Sequence, residues 1–154
     1  MNDYEVAKTK FGKIRYIEIG PPEGDIVLFS TGGGAGYNLV HAFSWLARSG
    51  YRIISVNRPG YFDLPVNIVD TIEGHADIYH EVIRSLGITK KINVFGISMG
   101  GLSALYYAKK YPTQSLILWS AVTGPYIVNQ ESADSPLGKL VLSESGKNSF
   151  HGFC

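Results

Sequence analysis

Apolar positions along the chain alternate between two spacings, and that alternation predicts strands and helices in turn. From Tyr4 to Ile19, short β-prone runs flank the polar stretch Lys8-Thr9-Lys10-Phe11-Gly12-Lys13, which predicts a hairpin of two half-exposed strands. After Gly20-Pro21-Pro22-Glu23-Gly24 the pattern changes: Asp25-Ile26-Val27-Leu28-Phe29-Ser30 is apolar almost throughout, as expected of a parallel strand covered on both faces. Leu39, Val40, Phe43, Leu46 and Ala47 then recur at helical spacing and stop at Ser49-Gly50. Tyr51 to Val56 is the next buried strand, closed by Asn57-Arg58-Pro59-Gly60. Asp70 and Glu73 resemble a capping box, opening a helix whose buried stripe is Ile72, Ala76, Tyr79, Val82, Ile83 and Leu86. Lys91 to Ile97 predicts a third buried strand, Gly101 to Lys110 a helix ended by Pro112, and Leu116 to Val122 a fourth strand.

Strands alternating with amphipathic helices need right-handed crossovers, so the class is α/β: a mostly parallel, doubly wound sheet with an N-terminal β-hairpin. Residues 1–126 make up this unit. Residues 127–154 break the rhythm, with one helical hint at Leu137, Leu140, Val141 and Leu142 after Ser135-Pro136, and are expected to be the start of a lid or an irregular tail.

Charge and composition exclude several classes. With 14 Lys+Arg against 13 Asp+Glu and 18% charged residues there is no basic field for nucleic acid and no acidic tail. The opening MNDYEVAKTK lacks the apolar core of a signal peptide, and no run approaches the ~20 apolar residues of a membrane helix. The expectation is a cytoplasmic protein with neither nucleic acid nor membrane as partner. One cysteine, Cys154, excludes a disulfide or a cysteine-based zinc site within one copy. Glycine, at 18 of 154 residues, exceeds the usual share of about 7%, and its placement carries the chemistry.

Gly96-Ile97-Ser98-Met99-Gly100, followed by Gly101, stands between a buried strand and a helix. A tight strand-turn-helix bend there holds a serine Oγ exposed on a strained backbone, and small residues two before and two after are needed where strand and helix nearly collide. The helix N-terminus turns its N–H groups and positive dipole end toward any charge forming near Ser98. A second glycine cluster, Thr31-Gly32-Gly33-Gly34-Ala35-Gly36, follows the first buried strand. Acyl transfer passes through an oxyanion that needs two preorganised N–H donors; a loop without side chains can offer one and Met99 N–H the other. The competing dinucleotide reading fails in every register, with Tyr37 or Leu39 where G-x-G-x-x-G requires its last glycine and Asn57 where an acid should meet a ribose. Arg58 could face a 2′-phosphate, and Tyr106 and Lys110 have the spacing of a reductase pair. They lie in the helix after Ser98, however, and are expected to share a packing face. No phosphate-loop motif occurs, so no cofactor and no metal is expected.

Together these residues resemble the α/β-hydrolase superfamily over roughly residues 4–126. Thr31-Gly32-Gly33 stands where that family usually has His-Gly-Gly or His-Gly-x, and Asn57-Arg58-Pro59-Gly60-Tyr61 where it has an Asp-x-Arg/Pro-Gly-x turn. Gly96 to Gly100 matches its nucleophile elbow, followed by a helix ending Lys-Tyr-Pro and a strand. The resemblance implies Ser98 as nucleophile, with Gly33 and Met99 N–H as oxyanion donors, and a small-molecule ester or similar acyl compound as substrate. It also implies an acid and then a histidine after two further strands. After Ser98 the chain offers only Glu131, Asp134, Glu144 and His151 in patternless sequence, while His41, His75 and His80 precede the serine and are expected as solvated helix residues. The expectation is a fold cut after about the sixth strand, inactive by itself, with an open sheet edge at Leu118 and Trp119 inviting self-association. The alternative class is a non-catalytic relative that binds a ligand or partner.

Overall fold

The computed structural model describes residues 3–124. Six strands form one sheet: β1 (Glu5–Thr9), β2 (Gly12–Ile19), β3 (Asp25–Ser30), β4 (Tyr51–Val56), β5 (Ile92–Ile97) and β6 (Thr113–Trp119), in the order β1-β2-β4-β3-β5-β6. β1, β2 and β4 pair antiparallel, whereas β4, β3, β5 and β6 run parallel. The mixed sheet with its N-terminal hairpin is the expected α/β architecture. β2 is less exposed than a free hairpin strand because it hydrogen-bonds β4 as well as β1, which buries Ile14, Tyr16 and Ile17.

Two helices, α2 (Ile72–Ser85) and α3 (Gly100–Lys110), cover one face of the sheet, packing their Tyr79 and Tyr107 with Leu28, Ile54 and Val94 of the strands. The other face is closed by a 3-10 segment, Tyr37–Phe43, running into the short α1 (Ser44–Arg48) over Val27, Phe29, Ile53 and Phe95. Aromatic rings fill this side, with Phe29 and Phe95 stacked at 5.3 Å and Trp119 edge-on to Phe43 at 5.6 Å.

Three expectations need correction. The cap of α2 is Thr71 rather than Asp70: its Oγ1 accepts from Gly74 N–H at 3.1 Å, so Glu73 sits one place too early for a capping box. The last strand begins at Thr113, directly after Pro112, and ends at Trp119 instead of Val122. Its parallel register with β5 pairs Ile97 with Trp119, after which Ser120 turns with φ 43° and the chain leaves the sheet. His75 is not solvated but only 5% exposed, because it lies on the stripe that includes Tyr79 and Val82. Residues 127–154, with the helical hint at Leu137 and the candidate partners Glu131, Asp134, Glu144 and His151, lie outside the described residues. Among the described residues no helix is long and apolar enough to cross a membrane.

Candidate active site

Ser98 occupies the single bend between β5 and α3 with φ 50°, a left-handed conformation that side chains seldom adopt. The surroundings hold it there from both backbone groups: Ser98 N–H donates to the Trp119 carbonyl at 3.2 Å, and its own carbonyl accepts from Val122 N–H at 2.8 Å and from Gly101 N–H at 3.0 Å. Strain of this kind persists only where neighbours over-determine it.

The glycines around the bend are required by contact. A Cβ on Gly96 would stand 2.7 Å from the Ala104 Cβ, and one on Gly100 would stand 2.2 Å from the Ser30 carbonyl oxygen. A Cβ on Gly101 would stand 2.5 Å from that of Ala121. The start of α3 is thus pressed against the end of β3, where Ser30 Oγ donates to the Gly100 carbonyl at 2.9 Å. No side chain caps α3, whose N-cap is Met99. The first-turn N–H groups, normally met by a Ser, Thr or Asp cap, therefore face the bend without a side-chain acceptor.

The glycine loop lies beside this bend. Gly32 is buried against Ser98, so that a Cβ there would be 3.1 Å from the serine Cβ and 3.6 Å from Oγ, while Gly33 is half-buried in the following turn. Ser98, Met99 and the loop carrying Gly33 are therefore brought together at the carboxyl edge of the parallel sheet, the edge where ligands bind in open α/β sheets.

The turn after β4 reaches the same loop. Arg58, 2% exposed, donates from Nη1 to the Thr31 carbonyl at 2.7 Å, and Gly34 N–H donates to Tyr61 Oη at 3.0 Å. The sequence marked this turn as a motif and weighed Arg58 only against a 2′-phosphate, giving neither Arg58 nor Tyr61 a part beside Ser98.

None of the described histidines hydrogen-bonds Ser98. His41 is exposed, and His80 stacks on Tyr111 with ring centroids 3.8 Å apart. Burial, reinforced by the nearby Arg58 cation, draws the His75 pKa down to about 4 and keeps that ring neutral. Tyr106 and Lys110 share a face toward α2: Lys110 Nζ pairs with Asp77 at 2.7 Å, and Glu73 holds the Tyr106 hydroxyl proton, raising its pKa.

A family model described as alpha/beta hydrolase fold matches residues 25–137. An uncharacterised hydrolase of Bacillus subtilis is 28% identical over 133 residues, covering 85% of this chain and 45% of that protein. The 2-hydroxy-6-oxo-6-phenylhexa-2,4-dienoate hydrolase of Comamonas testosteroni is 34% identical over 103 residues, covering 64% of this chain and 36% of its own. Among solved structures, an esterase from Exiguobacterium antarcticum superposes with a TM-score of 0.66 at 28% identity, over 85% of this chain and 49% of that one. The chain thus spans less than half the length of these relatives.

Proposed function

We propose, from the premise that the chain belongs to the alpha/beta hydrolase fold family, that it forms the nucleophile-bearing part of a serine hydrolase acting on a carboxylic ester or similar acyl bond. The observation that carries this reading is Ser98 itself, a non-glycine residue held at φ 50° against an uncapped helix start and a side-chain-free loop. Ser98 Oγ adds to the acyl carbon while a base takes its proton, and the carbonyl oxygen becomes an oxyanion met by the N–H groups of Met99 and Gly33. Collapse expels the alcohol with that proton, and water then cleaves the acyl-enzyme to the acid and free Ser98. The base and its orienting acid come from outside residues 3–124, since no described histidine bonds Ser98. Substrate choice goes with those parts, and relatives named as an esterase and as a dienoate hydrolase leave it at the level of the acyl group.

The absence of a histidine bonded to Ser98 among the described residues also suits a non-catalytic reading, in which the bend is inherited and binds a ligand. One experiment separates them. The whole protein is incubated with a fluorophosphonate probe and the adduct mapped by peptide mass spectrometry, with Ser98→Ala as control. Modification of Ser98 supports the hydrolase; its absence in folded protein overturns it. In the whole protein Ser98→Ala is expected to lower p-nitrophenyl acetate turnover by a factor on the order of 10⁴ to 10⁶, the usual cost of losing a triad member.

A further inference from the structure

We infer that Arg58 and Tyr61 are positioning residues that fix the two ends of the glycine loop beside Ser98, Arg58 through the Thr31 carbonyl and Tyr61 through the Gly34 N–H. The inference rests on the acyl-transfer reading and deepens it by saying what gives the oxyanion loop its shape. Gly32, Gly33 and Gly34 are consecutive, and residues without a Cβ have the greatest backbone freedom of any. Such a segment does not preorganise itself, yet oxyanion stabilisation depends on donors that are in place before the charge develops.

Thr31 stands where the resembling family has a histidine, and its side chain does not hold the loop: Oγ1 is buried with no hydrogen-bond partner among the described residues. The Thr31 main chain is held instead. Its carbonyl accepts a charge-assisted hydrogen bond from Arg58 Nη1 at 2.7 Å in a fully buried setting, the stronger class of hydrogen bond. At the other end Gly34, at φ 72°, donates its N–H to Tyr61 Oη at 3.0 Å. The two holds act as one unit, because the Arg58 guanidinium carbon lies 5.2 Å from the Tyr61 ring centroid. The turn carrying them is braced in turn: Asn57 Nδ2 donates to the Tyr61 carbonyl at 3.1 Å and Gly60 N–H to the Leu64 carbonyl at 2.9 Å.

A chemical consequence follows for the donor set. Gly34 N–H is committed to Tyr61, so the loop's oxyanion donor falls to Gly32 or Gly33, between the two fixed ends.

The test uses the whole protein with Tyr61→Phe, Arg58→Gln and Arg58→Lys. It measures fluorophosphonate labelling of Ser98, kcat and KM for p-nitrophenyl acetate, and the thermal midpoint. Tyr61→Phe keeps the ring and removes only the acceptor, so kcat is expected to fall about 10-fold with KM within about twofold; Arg58→Gln is expected to lower kcat about 100-fold. Arg58→Lys restores part of that loss, because an ammonium keeps the charge but not the fork. A loss in kcat alone, graded in this order, supports positioning. Wild-type kcat in Tyr61→Phe overturns the clamp while leaving Ser98 as nucleophile, and this variant decides the matter even if Arg58→Gln fails to fold. A drop in thermal midpoint with kcat unchanged in the folded fraction also overturns it. Unlabelled wild-type Ser98 overturns the acyl-transfer reading and the clamp with it.

Discussion

Gly100→Ala tests whether the helix that follows Ser98 is seated on β3 as closely as the bend requires. The added Cβ would stand 2.2 Å from the Ser30 carbonyl oxygen and 2.5 Å from that of Thr31. Ordinary carbon–oxygen contacts begin at about 3.3 Å, so α3 and the end of β3 must part by about 1 Å. Both obstructing atoms are main chain, and β3 is locked between β4 and β5 by hydrogen bonds. No rotamer change relieves the overlap. Overpacking of this kind costs about 1 to 3 kcal/mol, and an immovable backbone places Gly100→Ala at the upper end. For a domain of 150 to 250 residues each kcal/mol moves the midpoint by about 2 to 4 °C, so a fall of roughly 6 to 12 °C is expected by circular dichroism.

The same displacement separates the start of α3 from Thr31, at the root of the loop that must cooperate with it. A misplacement of about 1 Å costs about 10²-fold in rate, and fluorophosphonate labelling should slow accordingly. Gly96→Ala supplies the internal comparison. Its Cβ meets the Ala104 Cβ at 2.7 Å, a side-chain atom, so adding Ala104→Gly should recover part of its loss. No trimmed side chain can do this for Gly100→Ala. A Gly100→Ala protein that melts within about 2 °C of wild type and labels at its rate would refute the close seating of helix on strand.

His75 makes stability depend on acid. Its folded pKa is near 4 against 6.5 unfolded, so the unfolded chain takes up the proton first as pH falls. The stability from burying the neutral ring is full above pH 6.5 and is lost between 6.5 and 4, about 3 kcal/mol in all. Urea midpoints at pH 7.5 and 4.5 should show this loss in wild type and lack it in His75→Gln; equal losses would sink the assignment. At the outer side of β6, Ile117 is 48% exposed and Trp119 50%. This open strand is expected to pair copies of the chain, so Ile117→Lys should shift size exclusion from dimer or larger species to monomer; a monomeric wild type refutes the expectation.

Period and punctuation made the parallel core legible: buried runs such as Ile26 to Phe29 and the Ser49-Gly50 and Pro112 stops reflect local chemistry that tertiary contacts did not override. The end of β6 was not legible, because Leu118, Trp119, Ala121 and Val122 are equally strand-like. What stops the strand is Ser98, whose backbone takes Trp119 and Val122 as partners and bends the chain across α3. His75 was misjudged as a solvated helix residue, although its spacing from Tyr79 and Val82 already placed it on the buried stripe. At the site, Ser98 and its glycines were readable because steric demands at the bend leave so few residue types. Arg58 was not, since a buried guanidinium paired to a carbonyl 27 residues earlier leaves no local periodic signal.

The distribution of left-handed residues bears on why the bend carries a serine at all. Gly20, Gly50 and Gly87, which lead into β3, β4 and β5, are glycines and adopt φ near 100° or below without a Cβ to object. At the carboxyl edge Gly34 and Gly60 do the same, but Phe62, Ser98 and Ser120 adopt it with side chains. Each such residue costs about 1 to 2 kcal/mol relative to a relaxed backbone. A chain selected for stability alone would place glycine at 98 as it did at 87. Ser98→Gly should therefore unfold later than Ser98→Ala, by about 0.5 to 1 kcal/mol after the greater freedom of glycine in the unfolded chain is subtracted. Ser103, inside α3 and buried, is the control: there glycine should be worse than alanine by about 1 kcal/mol. Chemical denaturation of the four variants reads the two signs directly. If alanine is the more stable replacement at both positions, Ser98 is not strained, and the observation that singles it out as a nucleophile loses its force.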